Sequence, residues 1–202
     1  MTPPELAAVV IGHFAGRMSG TVLDPARGQG AFHDRFPACL DRHWCEITEG
    51  RDFLDWHEPV DWVMTNPPWS RLRDFTRHAM RIAPNVVWLA PLTNLTTKAR
   101  LRDLDEAGFG IAELVLIDTP KDWPQSGFQL VAAWLRKGHS GGWSVTLQTA
   151  VAVKPARPSL PPVVITFTAP LSMAMPSRNS WVSIIMSLLG DDPARGPAPG
   201  CR

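Results

Sequence analysis

Short apolar runs that end in Gly- or Pro-rich loops, each leading towards a helical pattern, recur over about 120 residues of this chain, and that alternation limits its fold more than any other feature. "PPELAAVVIGHFAGRM" has apolar residues at Leu6, Val9, Val10 and Phe14, a helical period, and Pro3 and Pro4 suit a first turn. Thr21–Asp24 ("TVLD") reads as a strand that runs into the turn "PARGQGAF", with a short helix expected up to Pro37. His43–Ile47 reads as a second strand, closed by Glu49-Gly50, and "RDFLDW" as a short third strand or a turn. "VDWVMTN" is a fourth strand stopping at Pro67, and "RLRDFTRHAMRIA" a helix ended by Pro84. "NVVWLAPL" is a fifth strand, and "KARLRDLDEAGF" a helix with Gly108 as its C-cap. "IAELVLID" and "FQLVAAWLRK" are further strands joined by "TPKDWPQSG", and "WSVTLQTAVAV" is a candidate for a last edge strand.

This repetition predicts an α/β fold: a mostly parallel, seven-stranded sheet with helices on both faces. No helix separates the last two strands, which predicts an antiparallel end to the sheet. In such sheets ligands sit at the carboxyl ends of the strands, near the point where strand order reverses. Both unusual loops, "DPARGQG" and "NPPWS", follow strands, so both are expected to face one crevice.

A composition shift divides the chain. No acidic residue lies between Asp122 and Asp191, and prolines crowd the segment from about Lys154 onward. The expected organisation is a folded domain over 1–153 and an irregular, Pro-rich tail over 154–202. The apolar pieces of that tail are broken by Pro170 and Pro176, and neither reaches the ~20 residues of a membrane span. No membrane attachment is expected. The net charge of +1 gives no global pull towards a polyanion, so any such site must be a local patch. Three irregularly spaced cysteines supply neither a disulfide framework nor a zinc site, and "MTPPELAAVV" carries no basic leader. The expectation is a reducing, cytoplasmic setting. The six histidines have no metal-ligand spacing, so no metal is expected.

Three stretches carry chemistry. In the first, Asp24-Pro25-Ala26 leads into Gly28-Gln29-Gly30, where missing Cβ atoms allow close backbone approach to a ligand. An ordinary strand-to-helix turn accounts for these glycines equally well. Position 33 is His, so the dinucleotide fingerprint is absent, and no Lys-Ser/Thr pair makes a P-loop. The turn suits a ligand with an amino acid end and no phosphate. In the second stretch, Glu46 lies 18 positions after Gly28, near the ~20-residue offset of a ribose-binding carboxylate. A surface Glu at a strand end is an equal reading. Asp52-Phe53 could hold an exocyclic amine and cover an adenine face, although a solvated Asp beside a core Phe is the better reading of that pair alone.

The third stretch is Asn66-Pro67-Pro68-Trp69. Each proline fixes its own φ and restricts the residue before it, so this corner has little freedom left to lose on binding. The Pro67 carbonyl and the Asn66 side-chain oxygen are two acceptors, one for each N–H of a primary amine. Trp69 offers a face for a planar base, worth ~1–3 kcal/mol in stacking. An amine whose N–H bonds are both held is favoured in the pyramidal form, with its lone pair available. Such a site works by placement rather than by titration.

Together these residues resemble the S-adenosylmethionine-dependent amino-methyltransferases, above all the DNA N6-adenine methyltransferases in their unpermuted motif order. The resemblance runs from Thr2 to about Lys137. "TPPELA", with Thr2 and Pro3, resembles the family's N-terminal motif against the methionine end of the cofactor. "DPARGQGAF", with Asp24, Pro25, Ala26, Gly28 and Gly30, resembles the glycine-loop motif. Glu46 falls at the ribose acid, and Asp52 and Phe53 at the adenine-binding pair. "NPPW" resembles the catalytic tetrapeptide, with Trp in place of the commoner Tyr, and Asn66 also borders the cofactor. The resemblance implies a Rossmann-like methyltransferase fold and S-adenosyl-L-methionine as cofactor. It implies that Asn66, Pro67, Pro68 and Trp69 receive an adenine flipped out of DNA.

The chain departs from the family at Arg27, which either pairs with the cofactor carboxylate or obstructs the site. It also shows no second domain that would read a DNA sequence, which implies a separate specificity partner or lax recognition. Lys121 and Trp123 are substrate-contact candidates or simply hairpin-loop residues. RNA adenine and protein glutamine N-methyltransferases, and an inactive cofactor-binding remnant, remain alternatives.

Overall fold

A computed structural model describes residues 1–121, 123, 127–148 and 164–166. Its centre is an eight-stranded sheet: β1 (Thr21–Asp24), β2 (Asp41–Trp44), β3 (Trp62–Thr65), β4 (Asn85–Pro91), β5 (Phe109–Ile117), β6 (Leu130–Lys137), β7 (Ser144–Gln148) and β8 (Val164–Thr166). The spatial order is β2-β1-β3-β4-β6-β5-β7-β8. The first four strands in that order run parallel, β6 is antiparallel to both β4 and β5, β7 is parallel to β5, and β8 is antiparallel to β7. The helices are α1 (Pro4–Phe14), α2 (Leu72–Ile82), the single turn α3 (Leu92–Leu95) and α4 (Lys98–Glu106).

The antiparallel β5–β6 pair and the two-faced helical cover match the α/β expectation. The strand count differs: eight strands stand in the described residues, and β7, read as the edge, has β8 outside it. "RDFLDW" forms a 3-10 turn at Phe53–Asp55, capped by the Asp52 carboxylate, which accepts from the Leu54 N–H at 2.9 Å. The short helix expected before Pro37 is a 3-10 turn, His33–Arg35. The proposed tail lies outside the described residues except for β8.

Local chemistry explains the elements that frame the site. β3 and β4 are unbroken apolar runs because both faces are covered. α1 starts on Pro4, whose missing N–H costs nothing in a first turn. α2 buries Leu72, Phe75, Thr76, Ala79 and Met80 at helical spacing. It stops at Ala83, which Pro84 forces out of the helical region (φ −137°, ψ 139°).

Alternation along the strands separates two cores. Val22, Trp62, Met64, Val87, Leu89, Val115 and Leu130 meet α1 residues Leu6, Val10 and Phe14 on one face. On the other, Trp88 is fully buried and donates its indole N–H to Thr76 of α2 at 3.1 Å. Two charged anchors tie helices down. Glu113 of β5 accepts from Arg17 at 2.7 Å and from Thr146 at 2.8 Å, and pairs with His13 of α1 at 2.8 Å. Asp103 of α4 is gripped by Arg73 at 2.7 and 3.1 Å and by Arg77 at 2.8 Å, both from α2.

Candidate active site

Strand order reverses at β1. The chain leaves it for β2 on one side and returns as β3 on the other, with Val22 beside Trp62 and Leu23 beside Val63. The glycine turn follows β1 and the proline corner follows β3, so adjacent strands deliver both loops to one point. There they open into a cavity of about 340 Å³, within the size range of small-ligand sites. Its wall includes Met1 and Thr2 before α1, Ala26, Arg27, Gly28, Gln29, Ala31 and Phe32 after β1, Thr65 at the end of β3, and Asn66, Pro67, Pro68 and Trp69 of the proline corner.

Asp24 organises the glycine turn. Its fully buried carboxylate accepts from the Ala26 N–H at 3.2 Å and the His33 N–H at 3.1 Å, closing both ends of the loop. Burial pushes its pKa up to about 6, against hydrogen bonds from Thr65, Ala26 and His33 that pull the other way. Gly28 and Gly30 lie at φ +53° and +84°, where L side chains are strained. A Cβ on Gly30 would also strike the Asp34 carboxylate.

Glu46, two residues past the end of β2, braces this turn. Its Oε2 accepts from the Gly28 N–H at 2.7 Å, and Oε1 accepts from the Thr48 N–H and hydroxyl at 3.1 and 2.8 Å. Burial raises its pKa, but the Thr48 and Gly28 hydrogen bonds outweigh that and hold it below its ordinary value. Arg27, also in the wall, lies over the Trp44 ring at 4.8 Å while Arg51 lies over the same ring at 3.9 Å. The Arg27 Nε is buried without a hydrogen-bond partner.

At the proline corner, Asn66 is tied at both ends. Its Nδ2 donates to the Thr2 hydroxyl oxygen at 3.0 Å, and its Oδ1 accepts from the Trp69 indole N–H at 3.0 Å. Trp69 in turn meets Trp123 and Phe128 edge-on, with ring centroids 6.0 and 5.4 Å apart.

The structure therefore brings Thr2, Ala26, Gly28, Asn66, Pro67, Pro68 and Trp69 to one cavity, with Asp24, Gly30 and Glu46 supporting its glycine wall. Pro3 precedes α1 beside Thr2, and Pro25 lies in the turn between Asp24 and Ala26; neither lines the cavity. Phe53 is buried, with ring centroids 5.0 Å from Phe75 and 4.8 Å from His78, so its ring faces the core. Asp52 caps the adjoining turn, and Phe53 and Asp52 both lie outside the cavity wall. Lys121 is exposed, and Trp123 meets Trp69 edge-on. Sequence reasoning missed the wall positions Thr65, Gln29, Ala31 and Phe32. Their neighbours in the two motifs were the available signal.

The fold is that of the class I, Rossmann-like methyltransferases. No family model matches the chain, and neither does any curated protein sequence. Solved structures do. A Pyrococcus horikoshii protein assigned as an RNA methyltransferase matches with TM-score 0.53 and 18% identity, over 67% of this chain and 85% of that one. A Vibrio vulnificus protein assigned as the modification subunit of a type I restriction enzyme matches with TM-score 0.56 and 14% identity, over 76% and 48%. A type I restriction-modification methyltransferase subunit from Streptococcus thermophilus matches with TM-score 0.53 and 15% identity, over 73% and 47%. This chain thus spans about half the length of the two type I subunits.

Proposed function

We propose that this chain is an S-adenosylmethionine-dependent N-methyltransferase whose acceptor is the N6 amine of adenine in DNA. One observation carries the reading: the glycine turn after β1 and Asn66-Pro67-Pro68-Trp69 after β3 are two walls of the same cavity. The glycine wall, with no phosphate-binding fingerprint and with backbone open to close approach, fits a ligand ending in an amino acid. Bound there, the cofactor supplies an electrophilic methyl group on a sulfonium.

The chain's own residues do the rest. The Asn66 oxygen and the Pro67 carbonyl accept the two N–H bonds of the target amine and turn its lone pair towards the glycine wall. Pro67 and Pro68 keep those acceptors in place. Trp69 stacks on the ring. With the sulfonium supplying the methyl group and keeping its sulfur as the thioether leaving group, the extra proton on the methylated amine would leave to water, so no strong base would be required. Two type I restriction-modification proteins share the fold, which supports DNA as the acceptor. RNA adenine is the second reading, favoured by the archaeal likeness that covers 85% of that chain.

The test is incubation with methyl-labelled S-adenosylmethionine and DNA, RNA and protein acceptors in parallel. Label in N6-methyladenine of DNA is expected. Asn66→Ala should lower transfer at least ~100-fold while leaving cofactor affinity within a few-fold. Persistent transfer in that variant would refute the mechanism.

A further inference from the structure

We infer that the Trp69 indole N–H, and not only the Trp69 ring face, is part of the amine-capturing device: it sets the Asn66 carboxamide for its task. This rests on the functional reading above and adds a positioning duty that a phenyl ring at the same place cannot perform.

An indole nitrogen only donates, so the Asn66 atom 3.0 Å from it must be the oxygen. The amide nitrogen then faces Thr2, whose hydroxyl accepts from it at 3.0 Å. A flipped amide would set N–H against N–H at Trp69, so the two ties allow one orientation. A carboxamide oxygen has two lone pairs, and the indole uses one. The other remains for an incoming N–H.

The indole is itself held. Trp69 packs against the α1 core, with Trp123 and Phe128 against it edge-on. Its N–H direction is therefore set by aromatic packing, and the tie runs from Phe128 through Trp69 and Asn66 to Thr2 before α1. Without the N–H, Asn66 keeps only the Thr2 tie, and its oxygen gains rotational freedom that must be lost at each turnover.

The inference separates stacking from placement. Trp69 is replaced site-specifically by β-(3-benzothienyl)alanine, which keeps the bicyclic shape and puts sulfur where the N–H was; Trp69→Phe is the natural counterpart. Both should lower kcat about tenfold, the equivalent of one lost hydrogen bond. KM for DNA, and the fluorescence of a 2-aminopurine at the target position, should stay within about twofold because stacking persists. 7-Azatryptophan, which restores the N–H, should restore kcat. Wild-type kcat in the benzothienyl variant would overturn the inference. A second arm needs no turnover: in Asn66→Ala, the Trp69 Nε1–H resonance should move and exchange faster with solvent. An unchanged resonance would also overturn it. Failure of the wild type to methylate adenine on any acceptor would instead remove the functional reading, and the resonance would still decide whether the tie exists.

Discussion

A buried carboxylate beside a glycine turn serves that turn before it serves any ligand. Asp24 accepts two backbone N–H groups that have no other partner in the loop. Asp24→Asn should therefore cost about 1–3 kcal/mol, because an NH2 group placed against a backbone N–H leaves a buried donor unsatisfied. Chemical denaturation checks this as a fall in the midpoint with unchanged slope. Phe53 follows the reading of its own dipeptide rather than that of the resemblance. The resemblance implies a cofactor contact, but the pair alone reads as a core Phe, and its ring sits at 2% exposure among Phe75 and His78. Asp52-Phe53 falls in a 3-10 turn rather than a strand end, and that backbone choice sends the ring inward.

The most exposed dependency among the elements is the seating of α1. That helix follows Thr2, which touches the candidate site, and one carboxylate secures its far end. Burial raises the Glu113 pKa, but His13, Thr146 and Arg17 outweigh that and bring it down to about 2. Glu113→Gln should cost about 2 kcal/mol, the loss of charge-assisted hydrogen bonds around a buried group. Amide exchange in α1 should accelerate more than in β3 or β4. Uniform acceleration across the sheet would refute local anchoring. α1, α2 and β4 are legible in the sequence because their period is long and their ends carry Pro4, Pro84 and Pro91. The short pieces, "RDFLDW" and the segment before Pro37, are not. Three or four residues carry no resolvable period, and tertiary packing decides between strand and turn.

For the whole molecule, titration gives two opposed slopes. The folded pKa of Glu113 lies below its ordinary 4.5, so its contribution is complete above that value and is lost as pH falls towards 2. Asp103, held well below the usual carboxylate range by Arg73 and Arg77, acts in the same direction. Asp24 runs the other way. Its folded pKa of about 6 exceeds the ordinary 3.8, so its contribution is present below 3.8 and is lost as pH rises through 6. Denaturation midpoints should therefore peak at about pH 4, falling on the acid side towards pH 2 and on the neutral side until about pH 6. Asp24→Asn should flatten the neutral limb, and Glu113→Gln should soften the acid one. A neutral limb unaffected by Asp24→Asn would show that its carboxyl titrates normally.

By itself, the amino-acid sequence determined the alternating α/β order, the turn at Gly28-Gln29-Gly30 and the stiff Asn66-Pro67-Pro68-Trp69 corner. Periodicity and φ restriction act over a few residues and can be read where they stand. Tertiary structure alone decided that β1 and β3 are neighbours, that Glu46 clasps the Gly28 N–H, and that Trp69 and Thr2 hold Asn66 between them. Those contacts join residues far apart in the chain, or depend on a side-chain direction, and only the packed sheet supplies either.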